Sequence, residues 1–171
     1  VPARPSTVHR PHMGRLSPGA ALSHWALEGT AQPCPDAGLI NETWLVGNPA
    51  SGVLQWVNPM FSGLIHKDIA AFVQRLDDAG LATPHLVPTR TGALWLEDGD
   101  ACWRVLEFIP GRTLHRVTSP AVAAAAGHLV GKVHRATWNW VYRFQAPARN
   151  VHHTPARMAD LQAALDAADG H

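Results

Sequence analysis

From Gly38 to Asn58 the chain reads GLINETWLVGNPASGVLQWVN, and its apolar and polar positions fall as two antiparallel strands around a tight turn. Asn41 to Val46 and Val53 to Val57 are rich in β-branched and aromatic residues, and the residues from Gly47 to Gly52 between them are turn formers. Downstream the period changes. Ile69, Phe72, Val73 and Leu76 recur at i, i+3, i+4 and i+7, which predicts a helix over 67–79 that Gly80 stops. His85-Leu86-Val87 reads as a short strand after Pro84. Ala93 to Leu96 and Ala101 to Phe108 read as two more, joined through Asp98-Gly99, a good hairpin turn. Upstream, Ser23 to Thr30 reads as a first strand and Ala31 to Gly38 as a loop.

Pro110-Gly111 breaks the last strand, and beyond it the pattern turns helical. Ser119 as N-cap and Pro120 at the first helical position precede Val122, Ala126, Leu129, Val130 and Val133 on one face. Thr154-Pro155 repeats the start signal before Met158, Leu161 and Leu165. Between the two helices Trp138, Trp140, Tyr142 and Phe144 alternate in a connector that reads as packing. The predicted class is α+β, an antiparallel sheet of about five strands with one helix, then a hinge and further helices. The corresponding units are a basic, proline-rich and disordered segment over 1–20, a sheet-based lobe over 21–110, and a helical region over 111–171.

Composition removes several function classes. Lys+Arg 14 against Asp+Glu 13 leaves no basic stripe for nucleic acid. No apolar run approaches the ~18 residues of a membrane span, so a soluble, cytoplasmic chain is expected. Cys34 and Cys102 lack CxxC spacing and read as buried, reduced thiols. The 11 histidines include no HExxH pair, and the acidic run Glu97-Asp98-Gly99-Asp100 reads as a solvated hairpin tip, so no metal site is expected within the chain.

The order of elements, with Pro-Gly directly after the last strand, resembles the N-terminal lobe of the protein-kinase-like small-molecule phosphotransferases, the aminoglycoside phosphotransferase and choline kinase group. The likeness is carried by GLINETWLV followed by GVLQWVN, then GLATPHLVPTRTGALWL, WRVLEFIPGRTL and AGHLVGKVHRAT. The Gly-Leu-Ile-Asn and Val-Leu-Gln-x-x-Asn segments look most like the branch that includes N-acetylhexosamine kinases. The resemblance implies a transferase that moves phosphate from ATP, with Mg²⁺, to a hydroxyl of a small molecule such as an amino sugar, an aminoglycoside or a choline-like alcohol. It places ATP near Gly38, Leu39 and Asn41, with Val53 and Leu39 covering the adenine ring. The backbone of Glu107, Phe108 and Ile109 would meet the adenine edge.

Two departures qualify that expectation. Gln55 stands where such kinases carry the third-strand lysine that pairs phosphate and a helix carboxylate, and an amide supplies no positive charge. Lys67 is the nearest candidate cation, and Asp68 lies near the helix start without forming a lysine–glutamate unit. The larger departure is that no HGDxxxxN-type catalytic loop occurs, so the chain holds no catalytic residue and no Mg²⁺ ligand of the family pattern. The family order would put that loop beyond His171, and the non-Met start also suits a fragment, so the expectation is a front half that transfers no phosphate by itself. Its helix faces (Val122, Leu129, Val133, Leu161, Leu165) would then be exposed and favour self-association. Two other readings stay open: a non-catalytic lobe that binds a nucleotide or a partner, and an unrelated α+β domain with the same element order.

Overall fold

The computed structural model describes residues 15–34, 40–111, 114, 116–147 and 153–169. Six strands form one antiparallel sheet: β1 (Ala31–Pro33), β2 (Glu42–Val46), β3 (Gly52–Val57), β4 (Leu86–Val87), β5 (Leu96–Asp98) and β6 (Ala101–Glu107). Their spatial order is β1-β2-β3-β6-β4, with β5 also paired to β6. Four helices accompany the sheet among the described residues: α1 (Pro18–Leu22), α2 (Ile65–Asp77), α3 (Pro120–Thr137) and α4 (Thr154–Asp169).

Period-two alternation gives the sheet two unlike faces. Trp44 and Val46, Leu54 and Trp56, and Ala101, Trp103 and Val105 share the face that forms the main core, together with Ala21, Leu22 and Trp25. The opposite face carries Thr43, Gln55 and Arg104, which are direct cross-strand partners on β2, β3 and β6.

The segment from Arg15 onward seals the core face. The Arg15 guanidinium lies 4.4 Å from the Trp56 ring centre and 5.0 Å from that of Trp103, and it bonds both Glu42 carboxylate oxygens at 2.7 and 2.9 Å. Such a cation over aromatic faces adds attraction beyond burial. Ser17, the N-cap of α1, accepts from the Ala20 amide. Residues 15–20 are therefore ordered, contrary to the expected disorder over 1–20; the remainder of that span lies outside the described residues.

The expected first strand over Ser23 to Thr30 is also displaced. This stretch forms turns in which Trp25, fully buried, donates its indole N–H to the Val87 carbonyl at 2.8 Å, and the strand β1 lies where a loop was expected. Ala93 to Trp95 does not pair, so β5 begins only at Leu96.

The helix α2 ends at Asp77, two residues before the predicted end, and the chain turns at Gly80 as expected. Gly80 has φ +70°, a conformation that favours glycine, and the Leu81 amide returns to the Leu76 carbonyl at 3.0 Å. A second, smaller core joins α2 to α3 through Leu76, Leu81 and Ala136, with Phe72 and Val133 packed against it. Ser119 caps α3 as expected, accepting from the Val122 amide at 3.3 Å. At α4 the cap is His153 rather than Thr154, its Nδ1 accepting from the Ala156 amide at 3.3 Å. No helix among the described residues is long and apolar enough to cross a membrane.

Candidate functional site

The sheet face opposite the tryptophan core builds the site. Thr43, Gln55 and Arg104 lie in one row because β2, β3 and β6 pair in register at those positions. The Arg104 Nε donates to Gln55 Oε1 at 2.9 Å, and Gln55 Nε2 donates to Thr43 Oγ1 at 3.2 Å. The amide is thereby oriented, with its oxygen toward the guanidinium and its nitrogen toward the hydroxyl. Val53, half-buried two residues before Gln55, is on the same face.

At the end of β6 the chain enters the stretch expected to meet adenine. The Glu107 amide donates to the His85 carbonyl at 2.9 Å and its carboxylate bonds His85 Nδ1 at 2.6 Å, so the amide of Glu107 is engaged within the sheet. Among the described residues nothing takes up the amides of Phe108 and Ile109, which follow outside the strand. His85 also meets Asp77 through Nε2 at 2.6 Å, tying the C-terminal end of α2 to the end of β6. Hydrogen bonds donated by the His85 ring to Asp77 first and Glu107 second hold its pKa above the ordinary value, against a smaller effect of burial.

The other positions named from the sequence fall as follows. Gly38 and Leu39 lie outside the described residues. The Asn41 Oδ1 accepts the Asn58 amide at 3.1 Å, so this side chain closes the base of the β2–β3 hairpin. Lys67 is exposed in the first turn of α2, and the cation bonded to Gln55 is Arg104. Asp68 is buried and takes the Tyr142 hydroxyl at 2.9 Å and the amides of Gln145 and Ala146 at 2.7 and 2.9 Å. Burial works to raise its pKa, but these three donors outweigh it and the carboxyl titrates below its usual range. Asp98, expected in a solvated tip, accepts the Trp103 indole N–H at 2.7 Å and the Leu16 amide at 3.0 Å.

Sequence reasoning missed Arg104. A charged residue between Trp103 and Val105, inside a strand whose other residues are mostly apolar, was the available signal: it must face away from the core they build. His66 was missed as well. It is fully buried at the start of α2, stacked on Trp95 with ring centres 5.3 Å apart, and its Nδ1–H donates to the Gly63 carbonyl at 2.7 Å. Its Nε2 is buried without a partner among the described residues, and desolvation lowers its pKa to about 4. Cys102 is a buried, free thiol pushed up to about 11 by desolvation, whereas Cys34 is only half-buried.

Among the described residues, no three His, Cys, Asp or Glu side chains gather in a metal-holding group. No chemical step is assigned to Mg²⁺.

No protein-family model matches the chain. The structure is similar to that of an amicoumacin kinase, hAmiN, in complex with AMP-PNP, Ca²⁺ and Ami, with a TM-score of 0.58 and 18% identity over 72% of this chain and 39% of that one. It is similar also to an aminoglycoside phosphotransferase from Alicyclobacillus acidocaldarius, with a TM-score of 0.53 and 22% identity over 92% of this chain and 46% of that one. At such identity the likeness establishes the fold, which is kinase-like. The chain spans less than half the length of either protein.

Proposed function

We propose that the chain is the nucleotide-holding portion of an ATP-dependent phosphotransferase whose acceptor is a hydroxyl of a small molecule, in the range of amino sugars, aminoglycosides and choline-like alcohols. The observation that carries the reading is the polar row Thr43–Gln55–Arg104 lying on a kinase-like sheet whose strand β6 runs directly into the amides of Phe108 and Ile109, which nothing among the described residues takes up. Those amides suit the adenine edge, Val53 suits the ring, and the polar row suits phosphate. The narrower likeness to N-acetylhexosamine kinases is supported by the GLIN and VLQWVN segments alone.

Phosphoryl transfer depends on a positioned catalytic-loop carboxylate and on metal-held phosphates. The 171 residues carry no HGDxxxxN motif, so this chain by itself is expected to bind nucleotide without turning it over. A thermal melt tests the binding: ATP at 100-fold over its Kd should raise the Tm by about 5–10 °C. An unchanged Tm at millimolar ATP counts against the proposal.

A second reading, a lobe that docks a partner without chemistry, draws on an apolar groove of about 430 Å³ between α2 and the aromatic connector, lined by Ile65, Ile69, Phe72, Phe144 and Pro147. Leu129, Val130, Leu161 and Leu165 are also exposed, each by 50% or more, which supports self-association of the chain, although Val122 and Val133 are half-buried. A monodisperse monomer in light scattering at high concentration would count against self-association.

A further inference from the structure

In kinase-like phosphotransferases a lysine on the third strand supplies the positive charge for phosphate. This chain has Gln55 there, and Lys67 is exposed on α2. The charge lies one strand over. Arg104 is directly opposite Gln55, and in an antiparallel pair opposite residues project from the same face.

Gln55 uses both of its functional groups on neighbours, the oxygen on Arg104 Nε and the nitrogen on Thr43 Oγ1. It acts as a strut for the guanidinium. With Nε engaged, Arg104 keeps the four N–H groups of Nη1 and Nη2, a planar fork that matches two phosphate oxygens. Among the described residues no carboxylate pairs with it; the ion pairs are Arg15–Glu42, His85 with Asp77 and Glu107, and Arg157–Asp160. Asp68, the helix carboxylate nearest in sequence to Lys67, is committed to Tyr142, Gln145 and Ala146. A half-buried guanidinium without a counter-ion is costly, and desolvation pulls its pKa down accordingly. An anion arriving at this sheet face would offset that cost.

We infer that Arg104, aimed by Gln55, is the residue through which this lobe recognises the phosphates of its nucleotide. The inference rests on the nucleotide reading above and adds the residue that carries its charge recognition.

Calorimetric titration of the full 171-residue chain with adenosine, ATP and tripolyphosphate separates the two claims. Arg104→Gln should weaken ATP and tripolyphosphate by about 10- to 100-fold while leaving adenosine unchanged, and Arg104→Lys should recover most of the loss. Gln55→Leu, which keeps the charge and removes the strut, should give a smaller loss of ATP affinity with adenosine unaffected; it carries the test if Arg104→Gln does not fold. An ATP-to-adenosine affinity ratio unchanged by these substitutions overturns the role of Arg104 and leaves the nucleotide reading standing. Wild-type protein that binds neither ATP nor tripolyphosphate overturns both.

Discussion

The Tyr142 hydroxyl donates to the Asp68 carboxylate at 2.9 Å, joining the connector after α3 to the first turn of α2. The same carboxylate takes two consecutive backbone amides of that connector, from Gln145 and Ala146. One buried side chain therefore fixes the path of the segment on which Trp140 and Tyr142 stack, with ring centres 4.8 Å apart. Asp68→Ala should cost about 1–3 kcal/mol, because three donors lose a charged acceptor. Chemical denaturation of the variant checks this, and a loss below the error of the extrapolation would mean that solvent replaces Asp68 at no cost.

His85 sits between Asp77 and Glu107, and its pKa is raised. A raised histidine contributes stability that is fully present below the unfolded value of about 6.5 and is lost as pH rises through the folded value. The Tm difference between wild type and His85→Gln should therefore be largest near about pH 6 and shrink by about pH 9. A difference that grows with pH would show that the bridge is not carried by the charged imidazole.

His66 has the opposite sign. Its pKa is lowered to about 4 by burial, so folding is favoured above the unfolded value near 6.5 and weakened as pH falls from there toward the folded value. The whole effect is on the order of 3 kcal/mol. His66→Phe keeps a flat ring against Trp95 and should flatten the acid side of the stability profile between about pH 6.5 and 4. An unchanged acid limb would place the acid sensitivity elsewhere.

Gly63 makes the close approach of that site possible. A Cβ there would lie 2.7 Å from Trp95 Nε1 and 3.1 Å from Glu97 Oε1, two groups that are hydrogen-bonded to each other. Gly63→Ala should displace Trp95 and expose His66, seen as a shift of tryptophan emission and a histidine pKa that moves back up toward about 6.5 in NMR titration. An unaltered His66 titration would show that the indole yields without uncovering the ring.

The sheet was legible where alternation and turn chemistry agree. The β2–β3 hairpin and the Asp98-Gly99 turn before β6 needed only neighbouring residues. The first strand was misplaced because Trp25 and Leu27, two residues apart, imitate a strand, whereas Trp25 is held as a plug by a bond to β4; Pro33 in turn disguised the edge strand β1. In the candidate site, Gln55 could be found by its place in the hairpin. The outward face of Arg104 was legible from its apolar neighbours, but its partnership with Gln55 was not, because that spans 49 residues and depends on which strands become neighbours. The same holds for His85, whose two carboxylates come from a helix end and a strand end.

In the proposed function ATP lies on the face of Gln55 and Arg104, against the stretch from Glu107 to Ile109. Photolabelling with an azido-adenine analogue of ATP, followed by peptide mapping, tests it most directly. Saturable label, displaced by ATP, is expected on peptides spanning residues 38–58 and 102–111. Saturable label confined to α3 or α4, or label that ATP does not displace, would contradict it.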